Sequence, residues 1–232
     1  MGLQQGTGRA HIIRCLMPKA LLFDLDGTLS NTDAVHFPNW IEVLRPYGVE
    51  VTRELYEEKL SGRVDRRSVE DVLPDLSDEE MDELLEREEL RARQRSSEIG
   101  PLPGLRGLIE AGRRRGLPLA LVTNSNEEDA GEILQPLGLH GAFDPVVYPQ
   151  DGEDSKPAAL PYEQALESLG LSAEEVVAFE DSVTGAQSAV KAGIPTVGIT
   201  SGHSPEDLLE AGVSLVIGDF IDPALYDFLG WE

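Results

Sequence analysis

The sequence predicts an α/β protein, with a doubly wound parallel sheet as its core and an all-helical segment inserted near its start. Three observations carry this. The first apolar run, Ala20-Leu21-Leu22-Phe23, is unbroken and ends in polar and glycine residues, as a buried parallel strand does. From Pro101 onward, short apolar runs alternate with helical stretches. Between Asp33 and Gly100 the strand-like runs vanish and helical spacing takes over.

Before the first strand, residues 1–16 contain Gly and Gln but no long apolar stretch, and Ile12-Ile13 is too short for a signal-peptide core. They read as a flexible extension, and Met17 is an alternative start. The insert, residues 33–100, has the apolar spacings Phe37-Trp40-Ile41-Leu44 and Met81-Leu84-Leu85. Its Asp78–Arg95 stretch is dense in Glu and Arg and reads as a solvated helix with many i,i+4 pairs. After Pro101, helices are expected at 105–115, 127–137, 158–169 and 184–192, the last three stopped by Gly138, Gly170 and Gly193. Strands are expected at 117–122, 145–148, 175–179, 196–199 and 214–217. Residues 17–32 and 101–232 thus form a Rossmann-like core domain with right-handed crossovers.

The 232 residues carry 43 acidic and 19 basic side chains, a formal charge of −24. That field repels nucleic acid and anionic membranes, so neither is an expected partner. No run reaches the ~20 apolar residues of a membrane helix. The single cysteine, Cys15, excludes an internal disulfide and suits a reducing cytoplasm. The acidic bias, with four lysines against fifteen arginines, fits either a salty cytoplasm or a GC-rich genome.

Polar groups follow successive strands: Asp24 and Asp26, then Thr123 and Asn124, then Glu180 and Asp181. Ligands of open α/β sheets bind at this carboxyl edge. Four carboxylates gathered there repel unless a cation joins them, and hard oxygen ligands suit Mg²⁺. Lys156, in the loop Asp154-Ser155-Lys156-Pro157, is placed to face the same cluster. Each piece alone has a plainer reading: a turn, a helix cap, a surface lysine, an acidic helix start. Their joint order and placement favour a site.

Asp24-Leu25-Asp26-Gly27-Thr28, Thr123-Asn124, Lys156-Pro157 and Glu180-Asp181 resemble, in order, the four motifs of the haloacid dehalogenase-like superfamily. The resemblance spans about Met17 to Asp219. The insert resembles the helical cap domain of the phosphoglycolate phosphatase and β-phosphoglucomutase branch. It implies that Asp24 attacks phosphorus and that Asp26 protonates the leaving oxygen and later activates water. It also implies that Thr123, Asn124 and Lys156 hold phosphoryl oxygens. Mg²⁺ would be bound by Asp24, Asp181, the Asp26 carbonyl and Glu180, directly or just outside the first shell.

In the cap, His36 and Trp40 share a helix face. The resemblance points His36 at the site and leaves Trp40 to the cap core. Leu60-Ser61-Gly62-Arg63, with Arg66 and Arg67, resembles the substrate-specificity loop, so Arg63 and Arg66 are candidate substrate ligands. Asp65 stands where the mutases carry their loop arginine, which counts against a mutase phosphate clamp.

The expected function is a Mg²⁺-dependent phosphatase of a small phosphate monoester, a sugar phosphate or phosphorylated short acid, acting as a monomer or weak dimer in the cytoplasm. The alternatives are a phosphosugar mutase with the same aspartyl phosphate and a catalytically silent binding protein. Asp26 speaks against haloacid dehalogenation, which has no leaving alkoxide to protonate.

Overall fold

A computed structural model describes residues 16–31, 33–60, 66–95, 100–149 and 155–231. Among these residues six parallel strands form one sheet in the order β3-β2-β1-β4-β5-β6. They are β1 (Ala20–Phe23), β2 (Leu119–Val122), β3 (Val146–Val147), β4 (Val176–Glu180), β5 (Thr196–Ile199) and β6 (Leu215–Ile217). β1 lies between β2 and β4, with Phe23 level with Leu121 and Phe179.

Strand alternation explains why these runs are apolar throughout. Leu21 and Phe23 face one core cluster, together with Leu119, Leu121, Val177 and Phe179. Ala20 and Leu22 face the other, with Ala120, Val122, Val176 and Ala178. Phe23 and Phe179 stack across neighbouring strands with centroids 4.8 Å apart.

Helices cover both faces. α1 (Asp33–Leu44), α2 (Arg53–Leu55) running into a π-turn (Tyr56–Leu60), α3 (Arg66–Glu70) and α4 (Asp78–Arg95) make the helical unit between β1 and β2. α5 (Leu105–Arg114), α6 (Glu127–Leu137), α7 (Leu160–Leu169), α8 (Val183–Lys191), α9 (Pro205–Glu210) and α10 (Pro223–Leu229) belong to the sheet domain. Gly138 and Gly170 end α6 and α7 in the left-handed conformation, as expected of them. α7 starts two residues later than Ala158, with Pro161 in its first turn. α9 and α10 are short helices that the sequence reading did not anticipate. Leu16 donates its backbone N–H to the Phe228 carbonyl in α10 and packs on the sheet's core.

The helical unit has its own core of Trp40, Val43, Leu44, Val51, Tyr56, Leu60, Val69, Met81 and Leu84. Trp40 is fully buried there. α4 is mostly solvated, as its composition suggests, but it buries Glu88 along with Met81 and Leu84. Entry and exit of the unit lie side by side: Ser30 bridges Pro101 antiparallel, and Leu102 N–H donates to the Leu29 carbonyl at 3.0 Å. Farther out, Arg93 of α4 pairs with Glu89 and reaches Glu132 of α6 at 3.5 Å.

Candidate active site

The carboxyl ends of β1, β2 and β4 converge, and each delivers its polar group by stopping at that edge. Asp24 follows β1, and its N–H is fixed by the Phe179 carbonyl at 3.0 Å. Glu180 closes β4 and Asp181 follows it. Asp24, Glu180 and Asp181 are all buried, and each offers a carboxylate oxygen within 4.8 Å of the others.

Lys156 sits among them. Its Nζ donates to Asp24 Oδ1 at 2.6 Å, Glu180 Oε1 at 2.6 Å and the Val122 carbonyl at 2.7 Å. Burial alone would lower its pKa, but the Asp24 and Glu180 carboxylates outweigh that and hold it above the ordinary lysine value. Burial pushes Glu180 up to about 7, with Lys156 opposing and Asp24 adding to the rise. Tyr162 of α7 donates its hydroxyl to the same Glu180 oxygen at 2.5 Å, and its ring lies 5.5 Å from the Lys156 ammonium.

Asp26 is half-buried. Lost hydration and the nearby Asp24 charge raise its pKa, while Ser125, His36 and Lys156 oppose the rise. The Ser125 hydroxyl donates to Asp26 Oδ2 at 2.7 Å. A carboxyl group held partly toward its neutral form can give a proton as well as take one.

Asn124 and Lys156 are stapled reciprocally. The Asn124 amide donates to the Lys156 carbonyl at 3.4 Å and accepts from the Lys156 N–H at 3.2 Å. Thr123 is buried, and its hydroxyl oxygen accepts the Ser125 N–H at 2.9 Å. The loops after β2 and β3 are thereby locked together beside Asp24.

Two helix- and loop-borne glycines make room for the acids. A Cβ on Gly185 would lie 1.9 Å from Glu180 Oε2. One on Gly27, where φ is +74°, would lie 1.9 Å from Asp181 Oδ2. The loop after β5 also closes on the site: Ser201 donates to the Gly27 carbonyl at 2.5 Å, and His203 Nδ1 lies 3.2 Å from the Asp181 carbonyl.

The structure therefore brings Asp24, Asp26, Thr123, Asn124, Lys156, Glu180 and Asp181 together. His36, in the first turn of α1, lies near enough for its charge to lower the Asp26 pKa, and its Nδ1 is 2.8 Å from Glu88 Oε1. Arg66 is placed otherwise. It pairs with Asp78 at 2.8 Å and Asp82 at 2.6 Å, inside the helical unit. Arg63 lies outside the described residues. Ser125, Tyr162, Ser201 and His203 were missed by the sequence reading. Ser125 alone had a signal, since it continues the polar run after β2.

A family model described as haloacid dehalogenase-like hydrolase matches residues 21–199. The chain belongs to that family. This haloacid dehalogenase-like hydrolase is 31% identical to the phosphorylated carbohydrates phosphatase of Thermotoga maritima, over 86% of this chain and 94% of the relative. It is 30% identical to the phosphoglycolate phosphatase of Rhodospirillum rubrum, over 93% and 92% of the two chains. Among solved structures it resembles an Entamoeba histolytica HAD hydrolase of family IA, variant 3, with a TM-score of 0.77 at 27% identity, covering 91% of this chain and 98% of the other. Among the described residues, no helix is long and apolar enough to cross a membrane.

Proposed function

We propose that this hydrolase is a Mg²⁺-dependent phosphatase of small phosphate monoesters, sugar phosphates or phosphorylated short acids, acting through an aspartyl phosphate at Asp24. The observation that carries the reading is the buried group of Asp24, Glu180 and Asp181 around the Lys156 ammonium, with Asp26 beside it on Ser125. The substrate class rests on what the two named relatives act on. A reducing cytoplasm is the expected setting.

The donor set fits a hard divalent cation. Three carboxylates in mutual reach are all-oxygen ligands, and Gly27 and Gly185 leave room beside Asp181 and Glu180 that a Cβ would fill. Asp24, Asp181 and the Asp26 carbonyl would hold Mg²⁺, with Glu180 beside them. When bound, the ion would neutralise phosphate charge and polarise the phosphoryl group.

An Asp24 oxygen attacks phosphorus, and the bond from phosphorus to the leaving oxygen breaks. Asp26 gives that oxygen its proton. The Asp26 carboxylate then takes a proton from water, whose oxygen attacks phosphorus. The bond to Asp24 breaks and inorganic phosphate leaves. Lys156, Thr123 and the Asn124 N–H hold the phosphoryl oxygens, and such preset donors are usually the largest catalytic contribution. The helical unit acts as a cap that excludes bulk water while the phosphoenzyme waits.

The test is phosphate release, with Mg²⁺, from a panel of phosphorylated sugars and short acids that includes β-glucose 1-phosphate with its bisphosphate activator. Free phosphate is expected from one or several esters. Isomer formed with little phosphate released would mean a mutase. No turnover of any ester would mean a binding protein.

A further inference from the structure

Glu88 has a strange place for an acid. It sits on α4, whose other acidic side chains are exposed or half-exposed, yet it is itself fully buried in the seam between α4 and α1. One carboxylate oxygen meets His36 Nδ1 at 2.8 Å, and the other has no hydrogen-bond partner among the described residues. Burying a carboxylate with one oxygen unsatisfied is costly, and a Leu or Met would fill the seam without that cost. His36 is the group that the carboxylate serves. Its side chain is 23% exposed, in the first turn of the helix that follows the Asp24–Ser30 loop, and its charge is felt at Asp26. One end of the imidazole is therefore anchored inside the helical unit, while its charge opposes the rise of the Asp26 pKa.

We propose that Glu88 is a positioning residue, which fixes the ring orientation and tautomer of His36 so that the imidazole is presented to Asp26 and to the leaving oxygen beside it. As a carboxylate Glu88 only accepts, so Nδ1 carries the proton and the ring is held in one orientation. The arrangement follows the logic of a base held by a buried acid, in which the orienting group never touches the substrate. It rests on the phosphatase reading for its catalytic meaning, but the Glu88–His36 geometry stands without it.

Two measurements test it. The first is ¹⁵N NMR of the imidazoles of the whole protein, with the His36 signals assigned by their loss in His36→Gln. A protonated Nδ1 that changes in Glu88→Met is expected. A neutral ring protonated only at Nε2, or signals unchanged by the substitution, would overturn the proposal whatever the enzyme's activity.

The second compares a sugar phosphate, whose alkoxide must be protonated, with p-nitrophenyl phosphate, whose leaving group needs no proton. Glu88→Met should lower kcat on the sugar phosphate by about tenfold, a fraction of the full general-acid contribution, with KM little changed. On the aryl ester the loss should stay under about twofold, and Glu88→Gln, which keeps an accepting oxygen, should restore most of the activity. In a His36→Gln background Glu88→Met should have no further effect. Equal losses on both esters, or none on either, would reduce Glu88 to a packing role. Failure of the unmodified protein to hydrolyse either ester would sink the phosphatase reading, while the NMR result would still decide the pairing.

Discussion

Lys156 holds Asp24 across 132 positions of sequence, Nζ to Oδ1 at 2.6 Å, and in the same grip takes Glu180. One ammonium thus offsets two carboxylates in a place that water barely reaches. Lys156→Met would leave both carboxylates unpaired. Breaking a buried pair from one side costs about 3–5 kcal/mol, so the melting temperature should fall clearly in metal-free buffer. Added Mg²⁺ should recover more of that loss in the variant than it adds to the unmodified protein, because the cation takes over the missing charge. Calorimetry with and without Mg²⁺ checks both, and turnover should drop by about 10²-fold or more.

Asp24→Asn keeps the shape of the side chain and removes its nucleophilic charge. Turnover should vanish, and no acid-stable phosphoryl label should remain on the protein after denaturing quench. The fold should persist, since circular dichroism reports on a sheet whose core does not depend on that charge. Retained turnover would exclude Asp24 as the attacking group.

Chelation offers a test that alters no residue. EDTA should stop phosphate release and excess Mg²⁺ should restore it, because the acids of the site need a cation to accept a phosphate dianion. Activity that ignores chelation would remove the metal from the proposal.

Gly185→Ala puts a methyl group 1.9 Å from Glu180 Oε2. Glu180 cannot step aside easily, because Lys156 and Tyr162 both hold its other oxygen. Mg²⁺ affinity should weaken, and kcat should fall by about tenfold or more, in the range seen when partners of metal ligands are lost. Isothermal titration and steady-state rates would show this, while the same change at Gly131 of α6, where a Cβ meets nothing and the backbone is helical, should leave the site intact.

A pH effect on stability is expected far from the site. Lys19 and the Ser172 cap hold the Glu175 pKa down to about 2. A depressed carboxylate pKa contributes stability above its ordinary range, and the contribution is lost as pH falls toward the folded-state value. The gap in melting temperature between the unmodified protein and Glu175→Gln should therefore be full at pH 6 and close progressively between about pH 4.5 and 2. The pair is exposed, so the gap should be small and shrink in salt.

Much of the sheet was legible because burial on both faces leaves little choice of residue. Ala20–Phe23 and Thr196–Ile199 could be bounded from apolar runs alone. Helix ends at Gly138 and Gly170 were legible because only glycine enters the left-handed turn cheaply. α9 and α10 were not, since six or seven residues give too few turns for a period to emerge. At the site, residues that follow strands announced themselves by position. Tyr162 did not: it is one aromatic on a core-facing helix stretch, and its hydroxyl finds Glu180 only through the packing of α7 on the sheet. Glu88 was hidden differently, in a run of acids whose average character is exposed. Arg66 read as a candidate substrate ligand because its partners, Asp78 and Asp82, lie beyond a turn that composition does not describe.

The narrow neck at Ser30 and Pro101 has an evolutionary consequence. A segment that leaves and rejoins its host at points about one strand spacing apart can be exchanged for another with equally close ends, leaving the host's loop-closure geometry unchanged. A unit joined in this way is a detachable part in the mechanical sense: it could be swapped, enlarged or trimmed without rebuilding the sheet or the acids gathered at its edge.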